Sequence, residues 1–141
     1  MTPPDRTVFL VHGMGHARAA CAAAAEAGRP IALLSARAAG QFAGVGWFRA
    51  LVEEARAEFP TLDVVGILDC GDAAGRAMQA MTQGVRSVVV DAASPALPRL
   101  RSLAARFAAE VLDEPPAHVD LSAAPDPDAA ARAALASPAQ D

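Results

Sequence analysis

Four times in this chain a short apolar run stops at a polar or turn residue, and a helix-spaced pattern follows at once. The runs fall in residues 8–12, 31–35, 64–72 and 87–91. Each reads as a buried strand discharging through a loop into a helix. Strand–helix alternation of this kind implies a mostly parallel sheet with right-handed crossovers. The expected fold is therefore α/β: four βα units on a mostly parallel four-stranded sheet. Two closures satisfy that pattern, an open doubly wound sheet or a sheet curled like half of an eight-stranded barrel. The half-barrel would leave apolar edges for a second copy of the chain, which makes a homodimer an expectation.

Local signals place the elements. Residues 7–11 are continuous and β-branched, as buried parallel strands are. An alanine-rich helix over residues 16–27 should stop at Gly28, where a left-handed cap costs little. The second strand is residues 31–34, followed by a long glycine loop over residues 35–46. Phe48, Leu51, Val52, Ala55 and Phe59 share one stripe of a helix that Pro60 ends. The third strand is residues 62–68. Asp72 is placed to cap the next helix, which carries Ala74, Ala77, Met78 and Met81 on one face. The fourth strand is residues 85–90, and Leu97, Leu100, Leu103, Phe107 and Val111 mark a last amphipathic helix. Trp47 is expected in the core. Residues 1–113 read as a single domain. Residues 114–141, rich in Pro, Ala and Asp, read as a flexible tail with too little bulky apolar surface to offset its ordering entropy.

Composition narrows the chemistry. The net charge of −4 argues against general affinity for nucleic acid or for an anionic membrane surface. All twelve basic residues are arginine. With no lysine, Schiff-base catalysis and a Walker A phosphate loop are both excluded. There is no tyrosine to serve as acid or base. Cys21 and Cys70 are too far apart to form a close-spaced metal pair, and both are expected as thiols in a reducing cytoplasm. No run reaches the length of a membrane span, and residues 1–6 lack the pattern of a signal peptide.

Parallel strands gather their carboxyl ends on one rim, where ligands of α/β proteins sit. On this reading His12, Ser35, Asp69, Cys70 and Asp91 meet there, with His16 and Asp72 one loop further out. His12 is a candidate base with Asp69 or Asp91 as its partner. Gly13, Gly15 and His16 form a turn opening a helix, where exposed amides suit an anion. Ser35 and Arg37 could complete an anion site, with Arg18 as a further candidate. The turn half-matches a dinucleotide fingerprint, but Arg18 stands where close helix packing wants a small residue. The loop at residues 9–15 also has the texture of an oxyanion loop. No nucleophile elbow accompanies it, because Asp69-Cys70-Gly71-Asp72 lacks the required Gly-x-Ser-x-Gly. Cys70 precedes a helix that could activate it, yet flanking Asp69 and Asp72 oppose a thiolate, which favours a buried inert thiol. No spacing matches a metal-ligand motif, and no cofactor is implied.

The stretch Asp69-Cys70-Gly71-Asp72 and the helix after it, with a glycine at 84 before the next strand, resembles one βα unit of an aldolase-type barrel. More broadly, residues 31–91 resemble small bacterial α/β proteins with alanine- and arginine-rich sequences. That resemblance implies a barrel-like or open α/β sheet and carries no activity with it. Three functions follow as expectations. The first is a domain binding a small anionic metabolite at the carboxyl rim, the second a lyase or isomerase using His12, and the third a non-catalytic interaction module.

Overall fold

The computed structural model describes residues 6–136. The four expected strands are present as β1 (Thr7–Val11), β2 (Ile31–Ser35), β3 (Val64–Asp69) and β4 (Ser87–Val89). Between them run α1 (Met14–Ala27), the short α2 (Ala39–Phe42), α3 (Val45–Glu58) and α4 (Ala74–Thr82). After β4 come α5 (Leu97–Ala104), a 3-10 turn over Ala105–Phe107, β5 (Glu110–Leu112), β6 (Val119–Asp120), a second 3-10 turn over Leu121–Ala123, and α6 (Pro127–Ala136). The sheet thus has six strands rather than four.

Strand order is β5-β4-β3-β2-β1-β6, and every pairing is parallel. Successive neighbours joined by right-handed crossovers put all their helices on one face. The packing agrees: α6, α1, α3, α4 and α5 touch in that order, tracking the strands beneath them. The doubly wound alternative is thereby replaced by a singly wound open sheet of barrel-like sense. The helix-facing core holds Phe9, Val11, Ile31, Leu33, Leu68 and Val88 with the helices' apolar stripes. The opposite face is made of strand residues alone: Val8, Ala32, Leu34, Ile67 and Val89 are buried together, with Leu10, Val65 and Leu112 beside them.

Residues 113–118 join β5 at one edge to β6 at the other. Seven residue steps span at most about 25 Å. Five interstrand gaps in a flat sheet come to about 24 Å. The connection must therefore run almost straight from edge to edge.

The region expected as a flexible tail is built into this framework. Leu121 is fully buried, and Ala131 and Leu135 of α6 are buried in the core formed with α1. Arg29 donates to the Leu135 carbonyl at 2.8 Å. The α1 face toward α6 is almost entirely alanine, so two helices approach closely with little side-chain bulk. Residues 137–141, which belong to the same expectation, lie outside the described residues. Gly28 caps α1 in the left-handed region, as its position implied. Trp47 is not core; it is partly exposed, and Phe42 is 85% exposed. No helix among the described residues is long and apolar enough to cross a membrane.

Leu121→Ala is expected to lower the unfolding free energy by about 2–5 kcal/mol, read by urea denaturation. A change below about 0.5 kcal/mol would detach the C-terminal segment from the cooperative unit.

Candidate functional site

The parallel register brings the ends of β1 to β4 to one rim: Val11 pairs with Ser35, and Asp69 with Val89. A cleft of about 530 Å³ opens there on the helix-free face. Its floor is Leu10, Leu34 and Val89, its strand-end wall Ser35, Asp69 and Asp91, and its far wall the crossing segment, with Asp113, Glu114, Pro115 and His118. Arg37 stands at the margin.

Asp69 is the best-ordered group in the cleft. Alternation along β3 turns it to the same face as Val65 and Ile67. Its Oδ1 accepts the Gly71 amide at 2.9 Å and the Ala38 amide at 3.2 Å. Its own amide donates to Ser35 Oγ at 2.9 Å, and that hydroxyl donates to the Ala36 carbonyl. One carboxylate thus ties the loop after β2 to the loop after β3. Ala38 is held at φ +58°, a left-handed conformation unusual for a residue with a Cβ, at the point where its amide meets Asp69. Oδ2 accepts nothing from the described residues and is not sealed from solvent.

The other expected residues divide. Asp91 is half-buried in the cleft, with Arg37 NH2 3.9 Å from its Oδ1. Arg37 is 82% exposed and loosely held. His12 is not on the cleft wall. It lies beyond the end of β1, edge-on to His16 with ring centroids 5.9 Å apart, and its amide donates to His16 Nδ1. Gly13, Gly15 and His16 stay with it at the start of α1, away from the cleft. Arg18 is bound to Glu54 and Glu58 of α3, which removes it as a ligand arginine. Asp72 does not cap α4. The helix starts after Ala73 with no side-chain cap, and the Asp72 carboxylate instead accepts from Gln41 Nε2 at 2.9 Å.

Cys70 faces the helix layer, completely buried, and its Sγ packs against Gly40 so closely that a Cβ there would sit 2.8 Å away. Burial pushes its thiol up to about 12, with the Asp69 charge adding to the effect. Cys21 is likewise buried and raised to about 11 by burial and then by Glu58. Neither is a nucleophile near neutral pH.

His118 is a cleft residue that its proline-rich surroundings concealed. Its Nδ1 donates to the Pro116 carbonyl at 2.8 Å, which leaves Nε2 as the acceptor of the neutral ring. Nearby, Asp120 is held below the usual carboxylate range, chiefly by the Ser122 hydroxyl at 2.6 Å, with His12 and His118 contributing. No signal in the sequence marked His118, because its place depends on the crossing from β5 to β6. Among the described residues, no three His, Cys, Asp or Glu side chains gather as a metal-ligand set.

A singly wound open parallel sheet, with helices on one face and a cleft at its carboxyl rim, defines a protein of the α/β class. The family model of class-II fructose-bisphosphate aldolases matches residues 7–99, more than half of the chain. The chain belongs to that family, and the likeness of residues 68–91 to an aldolase-type unit is borne out. A search of the curated proteins finds no match.

Two predictions come from this geometry. Asp69→Asn keeps an oxygen for both amides and should leave stability within about 1 kcal/mol, whereas Asp69→Ala strands them and should cost about 1–3 kcal/mol; denaturant midpoints compare the two. Both thiols should resist a disulfide reagent at pH 8 in the native protein and react fully once it is unfolded. A rapid native reaction would contradict the burial of Cys21 and Cys70.

Proposed function

We propose that this chain is a small-molecule-binding domain that takes a hydrogen-bond-donating ligand, a polyol or an amine-bearing sugar, into the cleft at the carboxyl rim. The observation that carries this reading is the charge of the lining. Asp69, Asp91, Asp113 and Glu114 face one arginine and one histidine. Arg37 is shared with Asp91, and Asp113 is engaged by Arg101 at 3.5 Å. Asp69 Oδ2 and Glu114 are left as acceptors over an apolar floor. Acceptors of this kind suit hydroxyl and ammonium donors and repel phosphate or carboxylate, so an anionic metabolite gives way to a donor-rich one.

Family membership supports a second reading, a lyase-type enzyme in which the free Asp69 oxygen removes a proton. His118 would then replace His12 as the imidazole partner, because His12 stands off the cleft wall. Breaking an aldol bond also needs a sink for the released electron pair, supplied by a lysine imine or by a metal acting as a Lewis acid. The chain has no lysine, and its described residues do not form a ligand set that fits a resident metal. The lining therefore favours binding over aldol cleavage.

Amide chemical-shift titrations with polyols, amino sugars, sugar phosphates and dicarboxylates test the choice. Polyols or amino sugars are expected to shift the Ser35, Asp69 and His118 signals, with affinity falling about tenfold in Asp69→Asn, equivalent to about 1.4 kcal/mol. Tighter binding of the anionic compounds at the same residues would overturn it. Ketose-phosphate cleavage that disappears in Asp69→Asn would establish the lyase instead.

A further inference from the structure

A second cleft lies at the opposite end of the sheet, outside the region where the strands discharge. It is wedged between α3 and the turn from α4 into β4, with a volume of about 210 Å³. Gly66 of β3 forms its floor. Phe48 and Val52 descend onto that glycine so closely that a Cβ would meet both side chains at 2.8 Å. With Val85 they make an apolar wall that is nearly sealed from solvent.

Around this wall stand Arg49, Arg56 and Arg86, opposed by Glu53 alone. Arg49 is occupied by Glu53 at 3.4 Å. Arg56 spends its Nε on the Val64 carbonyl at 3.1 Å, which fixes the guanidinium and leaves its terminal nitrogens without a described partner. Arg86, just before β4, accepts the Glu110 amide on its carbonyl at 2.8 Å, and its exposed guanidinium has no described partner. Two uncommitted guanidiniums therefore flank one apolar slot, in a chain whose net charge is −4. Like charges are not brought together at a surface by their own attraction, and each guanidinium presents a planar fork that matches tetrahedral oxyanions.

We propose that this slot is a binding site for a phosphate monoester carrying a small apolar group, with the phosphate between Arg56 and Arg86 and the apolar group against Phe48, Val52 and Val85. A phosphate monoester carries between one and two negative charges at neutral pH, which matches two free guanidiniums better than a carboxylate does. The site is independent of the cleft at the other rim and of the function assigned to it.

The test is an NMR titration of the full chain with phenyl phosphate, following the arginine Nε–Hε signals. Saturable shifts at Arg56 and Arg86 are expected. Affinity should fall at least fivefold in Arg86→Gln, an exposed change that leaves the fold intact by thermal midpoint, and should be unchanged in Arg37→Gln at the other rim. Inorganic phosphate, which lacks the apolar group, should bind at least fivefold more weakly than phenyl phosphate. Wild-type affinity in Arg86→Gln, equal binding of inorganic phosphate, or shifts centred on Arg37 would each overturn the proposal.

Discussion

The Asp69 carboxylate is the interaction on which the rest of the rim depends. A parallel sheet delivers strand ends to one edge, but it does not order the loops that leave them. Here a single oxygen accepts two amides from two different loops, while the same residue's amide is received by Ser35 on the neighbouring strand. Two loops and two strands are thereby fixed around one buried charge. Hydrogen bonds to an ionised acceptor are stronger than neutral ones, which suits a carboxylate at this junction. The second oxygen accepts no hydrogen bond from the described residues and lies on the cleft wall.

The parts of the fold that were legible in the sequence are those whose pattern is local. β1 to β4 announce themselves as apolar runs broken by turn residues, and Gly28 ends α1 for a reason internal to the backbone. β5 and β6 are three and two residues long, each with one acidic residue, and they pair only along the edges that β4 and β1 offer. α6 looks unstructured by composition because alanine supplies little apolar area; what holds it is the matching alanine face of α1, a partner more than a hundred residues away. The rim was legible in the same uneven way. Ser35, Asp69 and Asp91 follow from strand ends, but His12 lies beyond the end of β1 beside His16 and off the cleft wall. Asp72 has the right spacing for a cap, and Gln41 of α2 claims it first. His118 could be found only by knowing that the chain crosses from one edge of the sheet to the other.

Charge is distributed unevenly between the two ends of the sheet. Among the charged residues that line them, carboxylates predominate in the cleft at the strand ends and guanidiniums in the slot between α3 and the start of β4. In the second, Phe48 and Val52 occupy the space above Gly66, and a Cβ at that position would force them to shift.

The pairing of β6 with β1 joins the last strand to the first, so the two extremities of the described chain end up side by side. A nascent polypeptide can zip β1 to β4 together in order as each emerges, since every partner is the immediate predecessor. The outer wall of the mouth must wait, because residues 113–118 are stretched into place only when β6 finds β1. Contacts between segments so distant in sequence form late, after loop closure has been met by the earlier pairings. A chain from which residues 119–120 have yet to emerge would therefore hold a sheet, a helical layer and a cleft without its far wall.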